Sequence, residues 1–246
     1  MSKLMERDAL EVSEMFTSVQ GEGVHAGRLM TFVRFFGCSC ACPWCDSPCA
    51  REEGGHFTSY AGEAGARQLA LEVVRELKDT FVTGSKPVVC LTGGEPMEQN
   101  PKLFRLFVKF LRVFWYEHDL PRQCDPLKIH METNGRSMHS QSCIDCSQSC
   151  IDWVTVSPKS NVIGYLEGNY ECADELKYVL SPGEGLPEFV YPPDPKLLMV
   201  MPKTTYPFEE YLNQNMGSYA WAAKSVKESG GVWGMTGRLQ EICKVR

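Results

Sequence analysis

The 246-residue sequence has no basic surplus: 25 Lys and Arg stand against 31 Asp and Glu, a formal net charge of −6. Nucleic acid, whose phosphates demand clustered cations, is therefore not an expected partner. No apolar run approaches the ~20 residues a membrane-spanning helix needs, so no membrane is expected either. The opening Met1-Ser2-Lys3-Leu4-Met5-Glu6-Arg7-Asp8 lacks the apolar stretch of a secretory signal. Histidine is scarce, and His25, His56, His118, His130 and His139 have no ligand-like spacing. Internal repeats, low-complexity tracts and clear linkers are missing. A single domain spanning 1–246 is expected, a length that α/β barrels reach without splitting. These absences point to a cytoplasmic protein.

Cysteine is what the chain has in quantity. Twelve in a reducing compartment suggest metal binding or catalysis more than a disulfide framework. In Cys38-Ser39-Cys40-Ala41-Cys42-Pro43-Trp44-Cys45 the spacing Cys38-x3-Cys42-x2-Cys45 offers three thiolates. A [4Fe–4S] cluster normally takes one thiolate per iron. Three leave one iron open to a small molecule, as an open catalytic metal site does. A structural zinc knuckle would use the same thiols, and Cys40 leaves the ligand set formally ambiguous. Farther on, Cys143-x2-Cys146-x3-Cys150 mirrors that spacing in reverse. It could hold zinc or an auxiliary cluster with Cys49 or Cys172, but reduced loop thiols are the expected reading. Cys90, inside a strand pattern, reads as core.

Strand and helix patterns alternate along the chain. Leu29–Phe35 predicts a strand leading into the cysteine loop, and Val88–Leu91, Lys128–Glu132, Trp153–Ser157, Leu176–Leu180, Leu197–Met201 and Val232–Met235 predict others. Ala66, Leu69, Ala70, Val73, Val74 and Leu77 recur at helical spacing. Asn100 reads as an N-cap with Pro101 at the first helical position, and Leu103, Phe104, Phe107, Phe110, Leu111 and Phe114 as the buried face. A last helix is expected from about Phe208 to Lys227, and Ser181–Pro195 reads as a loop. Such alternation predicts an α/β fold with a mainly parallel sheet. The connections after the strands at Lys128 and Trp153 look too short or irregular for full helices. The expectation is a shortened, partial (β/α) barrel, with ligands at the carboxyl ends of its strands. Gly37–Ser47, Thr92–Pro96, Glu132–Gly135 and Ser157–Lys159 all follow strands and should share one rim.

Thr92-Gly93-Gly94-Glu95-Pro96 is the second strong element. Adjacent glycines let a ligand approach the backbone, whose N–H and C=O groups can pair with an amino acid. With the cysteine loop ahead of it, this segment resembles the GGEP motif of radical S-adenosylmethionine (SAM) enzymes. Glu14–Gly23, Phe32–Cys38, Trp44-Cys45-Asp46-Ser47, Glu132-Thr133-Asn134-Gly135 and Val154–Lys159 narrow the likeness. From about residue 14 to 180 the chain closely resembles the 7-carboxy-7-deazaguanine synthase family of the queuosine pathway.

The resemblance implies a carbon–nitrogen lyase of the radical SAM type, converting 6-carboxy-5,6,7,8-tetrahydropterin to 7-carboxy-7-deazaguanine with loss of ammonia. It implies a [4Fe–4S] cluster on Cys38, Cys42 and Cys45, SAM, and Mg²⁺ on the Ser47 hydroxyl. Trp44, Cys45, Asp46, Gly94, Ser157, Pro158 and Lys159 would contact SAM. Val19, Gln20, Gly21, Arg34 and Thr92 would contact the pterin, Arg34 as a two-donor fork for its carboxylate. An electron donor such as flavodoxin is implied, and a homodimer is expected because a shortened barrel leaves sheet edges to cover. Met235-Thr236-Gly237-Arg238-Leu239 departs from the Gln-Thr-His-Lys ending of related chains, so substrate contacts there do not carry over. A radical SAM activase acting on a partner protein would share the cysteine loop and Gly-Gly motif, but leaves Gln20-Gly21-Glu22-Gly23, Arg34 and Ser47 unexplained. A non-catalytic zinc or iron–sulfur module would not need Thr92–Pro96 and Ser157–Lys159 on the same rim.

Overall fold

The computed structural model describes residues 5–40, 42, 45, 47, 55–81, 85–117, 125–136, 150–159, 173–186, 197–203, 212–230 and 232–238. Among the described residues nine strands form one sheet: β1 (Ala9–Val19), β2 (Leu29–Phe35), β3 (Thr58–Ala61), β4 (Val88–Gly93), β5 (Lys128–Thr133), β6 (Trp153–Val156), β7 (Glu175–Leu180), β8 (Leu197–Pro202) and β9 (Gly234–Met235). In the same described residues three α-helices accompany them: α1 (Gly62–Thr80), α2 (Pro101–Glu117) and α3 (Leu212–Glu228). The strand order is β3-β1-β2-β4-β5-β6-β7-β8-β9. From β2 through β9 every pairing is parallel, while β1 pairs antiparallel with both β2 and β3. The fold is α/β with a mainly parallel sheet, as the alternation predicts.

Two strands were not anticipated. β1 escapes the periodicity reading because the face it turns to the cavity described below mixes Glu14 and Ser18 with Phe16, and β3 because it has only four residues, mostly exposed. A strand whose inner face meets a polar cavity shows no clean apolar alternation. The other boundaries move by a few residues at most. The expected start of the last helix at Phe208, and most of the irregular connections after β5 and β6, lie outside the described residues.

Alternation across the parallel strands separates two environments, because successive side chains point to opposite faces. Val33, Phe35, Val89, Leu91, Ile129, Met131, Val154, Val156, Leu176 and Leu180 enter the main core with α1 and α2. Their neighbours Arg34, Thr92, Glu132, Ser157 and Lys177 line the opposite, concave face. On α1 all six predicted face residues are buried. On α2 Phe110 is only partly buried, stacked on Phe114 at 5.6 Å, while Val108 and Trp115 join the buried set. Asn100 caps α2 as expected: its Oδ1 accepts the N–H groups of Lys102 and Leu103, each at 3.1 Å. Each fully buried Leu, Val or Phe contributes about 1.5–3 kcal/mol over its exposed state.

The β1–β2 loop closes the concave side. Its Gly23 N–H donates to Thr236 Oγ1 at 2.6 Å and its Val24 N–H to Glu175 Oε2 at 3.2 Å. These contacts join the first strands to the last ones across the opening of the sheet. Among the described residues no helix is long and apolar enough to cross a membrane.

Candidate active site

The carboxyl ends of the parallel strands surround a cavity of about 320 Å³. Leaving β2, the chain turns at Gly37 (φ 90°) into the cysteine loop. The end of β4 pins that turn: Gly94 N–H donates to Phe35 O at 2.9 Å and Glu95 N–H to Gly37 O at 2.8 Å. Gly93 has φ 122°, and a Cβ there would sit 2.4 Å from both the N and the O of Phe35. Gly93 is needed for backbone to pass backbone, and the next two N–H groups hold the cysteine loop. Gly94 still lines the cavity.

Cys38, Cys42 and Cys45 line the cavity together, each half-buried, and Cys40 lines it from a buried position. The Cys45 N–H donates to Cys42 O at 3.1 Å, so the two-residue spacing closes a turn. Cys38 Sγ receives the Cys40 N–H at 3.4 Å and the Asn134 amide at 3.8 Å. Arg136 Nη1 meets Cys40 Sγ at 3.4 Å. The Cys40 thiol is pushed down to about 6 by its hydrogen bond with Cys38, with Arg136 adding to the effect, and the shared bond pushes Cys38 up. Several soft thiols around one cavity, with N–H donors on their sulfurs, are the donor chemistry an iron–sulfur cluster takes, and the residues fit it. Trp44 and Asp46 lie outside the described residues, as do Cys143 and Cys146 of the second cysteine group.

Two buried glutamates back this loop. Glu95 accepts from Thr133 Oγ1 at 2.6 Å, Asn134 N at 2.7 Å and Met97 N at 3.0 Å. Burial pushes its pKa up to about 7 despite those donors. Glu98 accepts from both the N–H and the hydroxyl of Ser39.

Arg34 and Ser47, assigned by resemblance to different ligands, touch each other. Arg34 Nη1 donates to Ser47 Oγ at 2.7 Å, and its Nε to Glu14 Oε1 at 2.8 Å. β1 and β2 place Glu14 directly opposite Arg34. Val19, Gln20, Gly21 and Thr92 line the same cavity. Gln20 Nε2 and Thr92 Oγ1 converge on one carboxylate, Glu132, at 3.0 and 2.8 Å. Ser157 and Lys159 line it too, joined by Lys159 Nζ to Ser157 Oγ at 3.1 Å, whereas the buried Pro158 does not.

The far end holds residues the sequence reading did not single out. Lys177 Nζ donates to Glu22 Oε2 at 2.5 Å, with the two side chains 6% and 12% exposed. Burial works against the ammonium, but Glu22 and Glu132 outweigh it and raise the Lys177 pKa. Arg238 Nε lies 3.6 Å from the other Glu22 oxygen, and the Arg238 N–H donates to Tyr219 Oη at 2.9 Å. A signal existed for Lys177: one lysine in the apolar run Leu176-Lys177-Tyr178-Val179-Leu180. For Arg238, beyond the last strand, there was none. Beside this end the rings of His25 and His130 meet at 4.5 Å, tilted by 42°, and burial pushes His130 down to about 3.

The family described as a 4Fe-4S single cluster domain matches residues 19–120. A 7-carboxy-7-deazaguanine synthase from Bacteroides thetaiotaomicron is 31% identical over 183 residues, covering 71% of this chain and 78% of that one. The enzyme of that name from Nitratidesulfovibrio vulgaris is 31% identical over 180 residues, covering 68% and 69%. The one from Prochlorococcus marinus is 29% identical over 179 residues, covering 72% and 67%. Among solved structures, QueE from Escherichia coli superposes with a TM-score of 0.58 over 95% of this chain and 96% of that one, at 18% identity. That likeness concerns the fold.

Proposed function

The chain belongs to the 7-carboxy-7-deazaguanine synthase family, and from that premise we propose that it is a radical SAM carbon–nitrogen lyase of 7-deazapurine (queuosine) biosynthesis. Its substrate is 6-carboxy-5,6,7,8-tetrahydropterin, its product 7-carboxy-7-deazaguanine, and ammonia is lost. The observation that carries this reading is the meeting of the three spaced cysteines and the strand-end motifs around one cavity.

Cys38, Cys42 and Cys45 would hold the [4Fe–4S] cluster, which together with SAM supplies a 5′-deoxyadenosyl radical. Gly94, Cys45, Ser157 and Lys159 are the SAM side of the cavity, with Pro158 behind the motif and Trp44 and Asp46 assigned by resemblance. The protein's own work is positional. Arg34 meets the substrate carboxylate with the guanidinium donors that Glu14 and Ser47 do not use. Gln20, Thr92 and Glu132 form a polar set that can exchange its internal hydrogen bonds for the donor–acceptor edge of the pterin. Phe16 and Phe32, stacked at 5.2 Å, give that wall an apolar surface.

Mg²⁺ takes oxygen ligands, and the Ser47 hydroxyl would be the oxygen that this chain offers it. Arg34 already donates to that hydroxyl, so the guanidinium that would meet the substrate carboxylate lies beside the oxygen that would hold the cation. An electron donor such as flavodoxin, a cytoplasmic location, a single domain over 1–246 and a homodimer complete the reading. For the dimer the supporting observations are the sheet edges at β3 and β9 among the described residues, and the exposed Val232 before β9 and Met235 within it.

The test is an anaerobic incubation of iron–sulfur-reconstituted protein with 6-carboxytetrahydropterin, SAM and dithionite. The expected result is 7-carboxy-7-deazaguanine by mass spectrometry, in amounts that rise when Mg²⁺ is added after chelation. Cleavage of SAM without conversion of the pterin would overturn the substrate assignment. A colourless protein containing zinc would overturn the enzyme.

A further inference from the structure

Glu98 stands out as a buried carboxylate that the reaction does not use. It closes the 3-10 turn Pro96–Glu98, directly after Thr92-Gly93-Gly94-Glu95, and is 1% exposed. Its two oxygens accept the Ser39 N–H at 3.2 and 2.9 Å, and Oε1 accepts the Ser39 hydroxyl at 2.5 Å. Among the described residues no lysine or arginine reaches it at ion-pair distance. Its partners are the two donors of the residue next to Cys38.

The two N–H groups that follow Cys38 therefore point to different acceptors. That of Cys40 goes to Cys38 Sγ at 3.4 Å. That of Ser39 goes to the carboxylate, and so is withheld from sulfur. Hydrogen bonds to cluster sulfurs and local charge both set iron–sulfur reduction potentials. Withholding an N–H donor and placing a negative charge beside a ligand act in the same direction, against the reduced state. A negative charge acts strongly where water is excluded.

We propose that Glu98 is a positioning residue that holds the cysteine loop through Ser39 and lowers the reduction potential of the cluster on it. The purpose is chemical: one-electron reduction of a sulfonium such as SAM demands a strong reductant. The inference rests on the cluster assignment of the preceding section, and its test separates the two.

The experiment is an EPR-monitored redox titration of the anaerobically reconstituted holoprotein, wild type against Glu98→Gln, with bound iron and sulfide measured on each. Glutamine keeps the shape and one acceptor but removes the charge. The expected result is unchanged iron content and a higher midpoint. At a fixed poise the reduced-to-oxidised ratio should rise about tenfold, equivalent to about 59 mV for a one-electron couple. An intact cluster with an unchanged midpoint overturns the proposal and leaves the cluster assignment standing. A wild-type protein that binds no [4Fe–4S] cluster overturns that assignment itself. Where Glu98→Gln takes up no iron, Ser39→Ala decides. It keeps the carboxylate and removes one of its donors, so its midpoint should stay at or below the wild-type value, and a rise overturns the proposal.

Discussion

At the cysteine end of the cavity the ligating residues are near neighbours in the chain, and the loop that carries them is held mostly through its backbone. Gly94, Glu95 and Ser39 supply the N–H groups, while Phe35 O, Gly37 O and the Glu98 carboxylate receive them. At the opposite end Glu22 and Lys177, 155 positions apart, meet as side chains, and Arg238 joins them from beyond β9. The first end keeps a local geometry that a bound group can complete. The second is a buried charge cluster that must be complete to be stable at all. Substitutions should therefore fail differently at the two ends: by losing a ligand at one, by losing stability at the other.

The largest effect expected is at the cysteine end. Cys42→Ala should abolish the cluster and, with it, turnover, while the apo protein melts at nearly the wild-type temperature. Iron analysis and visible absorbance check this, and a variant that stays brown and active breaks the ligand assignment. At the far end Lys177→Met should do the reverse. Leaving Glu22 buried without its ammonium costs about 3–5 kcal/mol, read by chemical denaturation of the apo protein. A loss under about 1 kcal/mol would mean that the pair is solvated and the contrast false.

Between the two ends, Arg34→Ala tests recognition. Loss of a charge-assisted pair with the substrate carboxylate is worth about 1.5–3 kcal/mol. It should appear as a raised KM for the pterin with SAM affinity little changed. An equal loss of SAM binding would move Arg34 to the other ligand.

The smallest effects are in pH, and they should run in opposite directions at the two ends. Burial raises Glu95 from 4.5 to about 7, so the folded state holds that proton more tightly than the unfolded chain. Its contribution is full below about pH 4.5 and is lost as pH rises through about 7. Burial lowers His130 from 6.5 to about 3, so its contribution is present above pH 6.5 and is lost as pH falls toward 3. In thermal melts across pH, Glu95→Gln should flatten the first interval and His130→Phe the second. Wild type and Glu95→Gln running parallel from pH 4.5 to 7 would show that Glu95 is not held protonated.

Much of this contrast was legible beforehand, and the part that was not has a common cause. The buried faces of α1 and α2, the Asn100 cap and the parallel strands follow from periodicity and capping, which depend on residues a few positions apart. The cysteine triad and the motifs after the strands were legible for the same reason. β1 went unrecognised because its cavity face mixes Glu14 and Ser18 with Phe16, a pattern that makes sense only once the cavity it faces exists. The glycine pair was legible as a place of close approach, but its contact with β2 was not, since nothing local says that Phe35 passes 2.4 Å from where a Gly93 Cβ would be.

The sequence by itself determined the spacing of Cys38, Cys42 and Cys45, the two-faced pattern of the parallel strands and the apolar sides of the helices. Thiol geometry and side-chain alternation are set by consecutive residues, whatever lies around them. Only the tertiary structure decided that Ser39 gives its N–H to Glu98, that Arg34 is shared between Glu14 and Ser47, and that Glu22 is neutralised by Lys177 from the far side of the sheet. Burial and Coulomb attraction act through distance in space, and the chain separation between the partners leaves no mark on that distance.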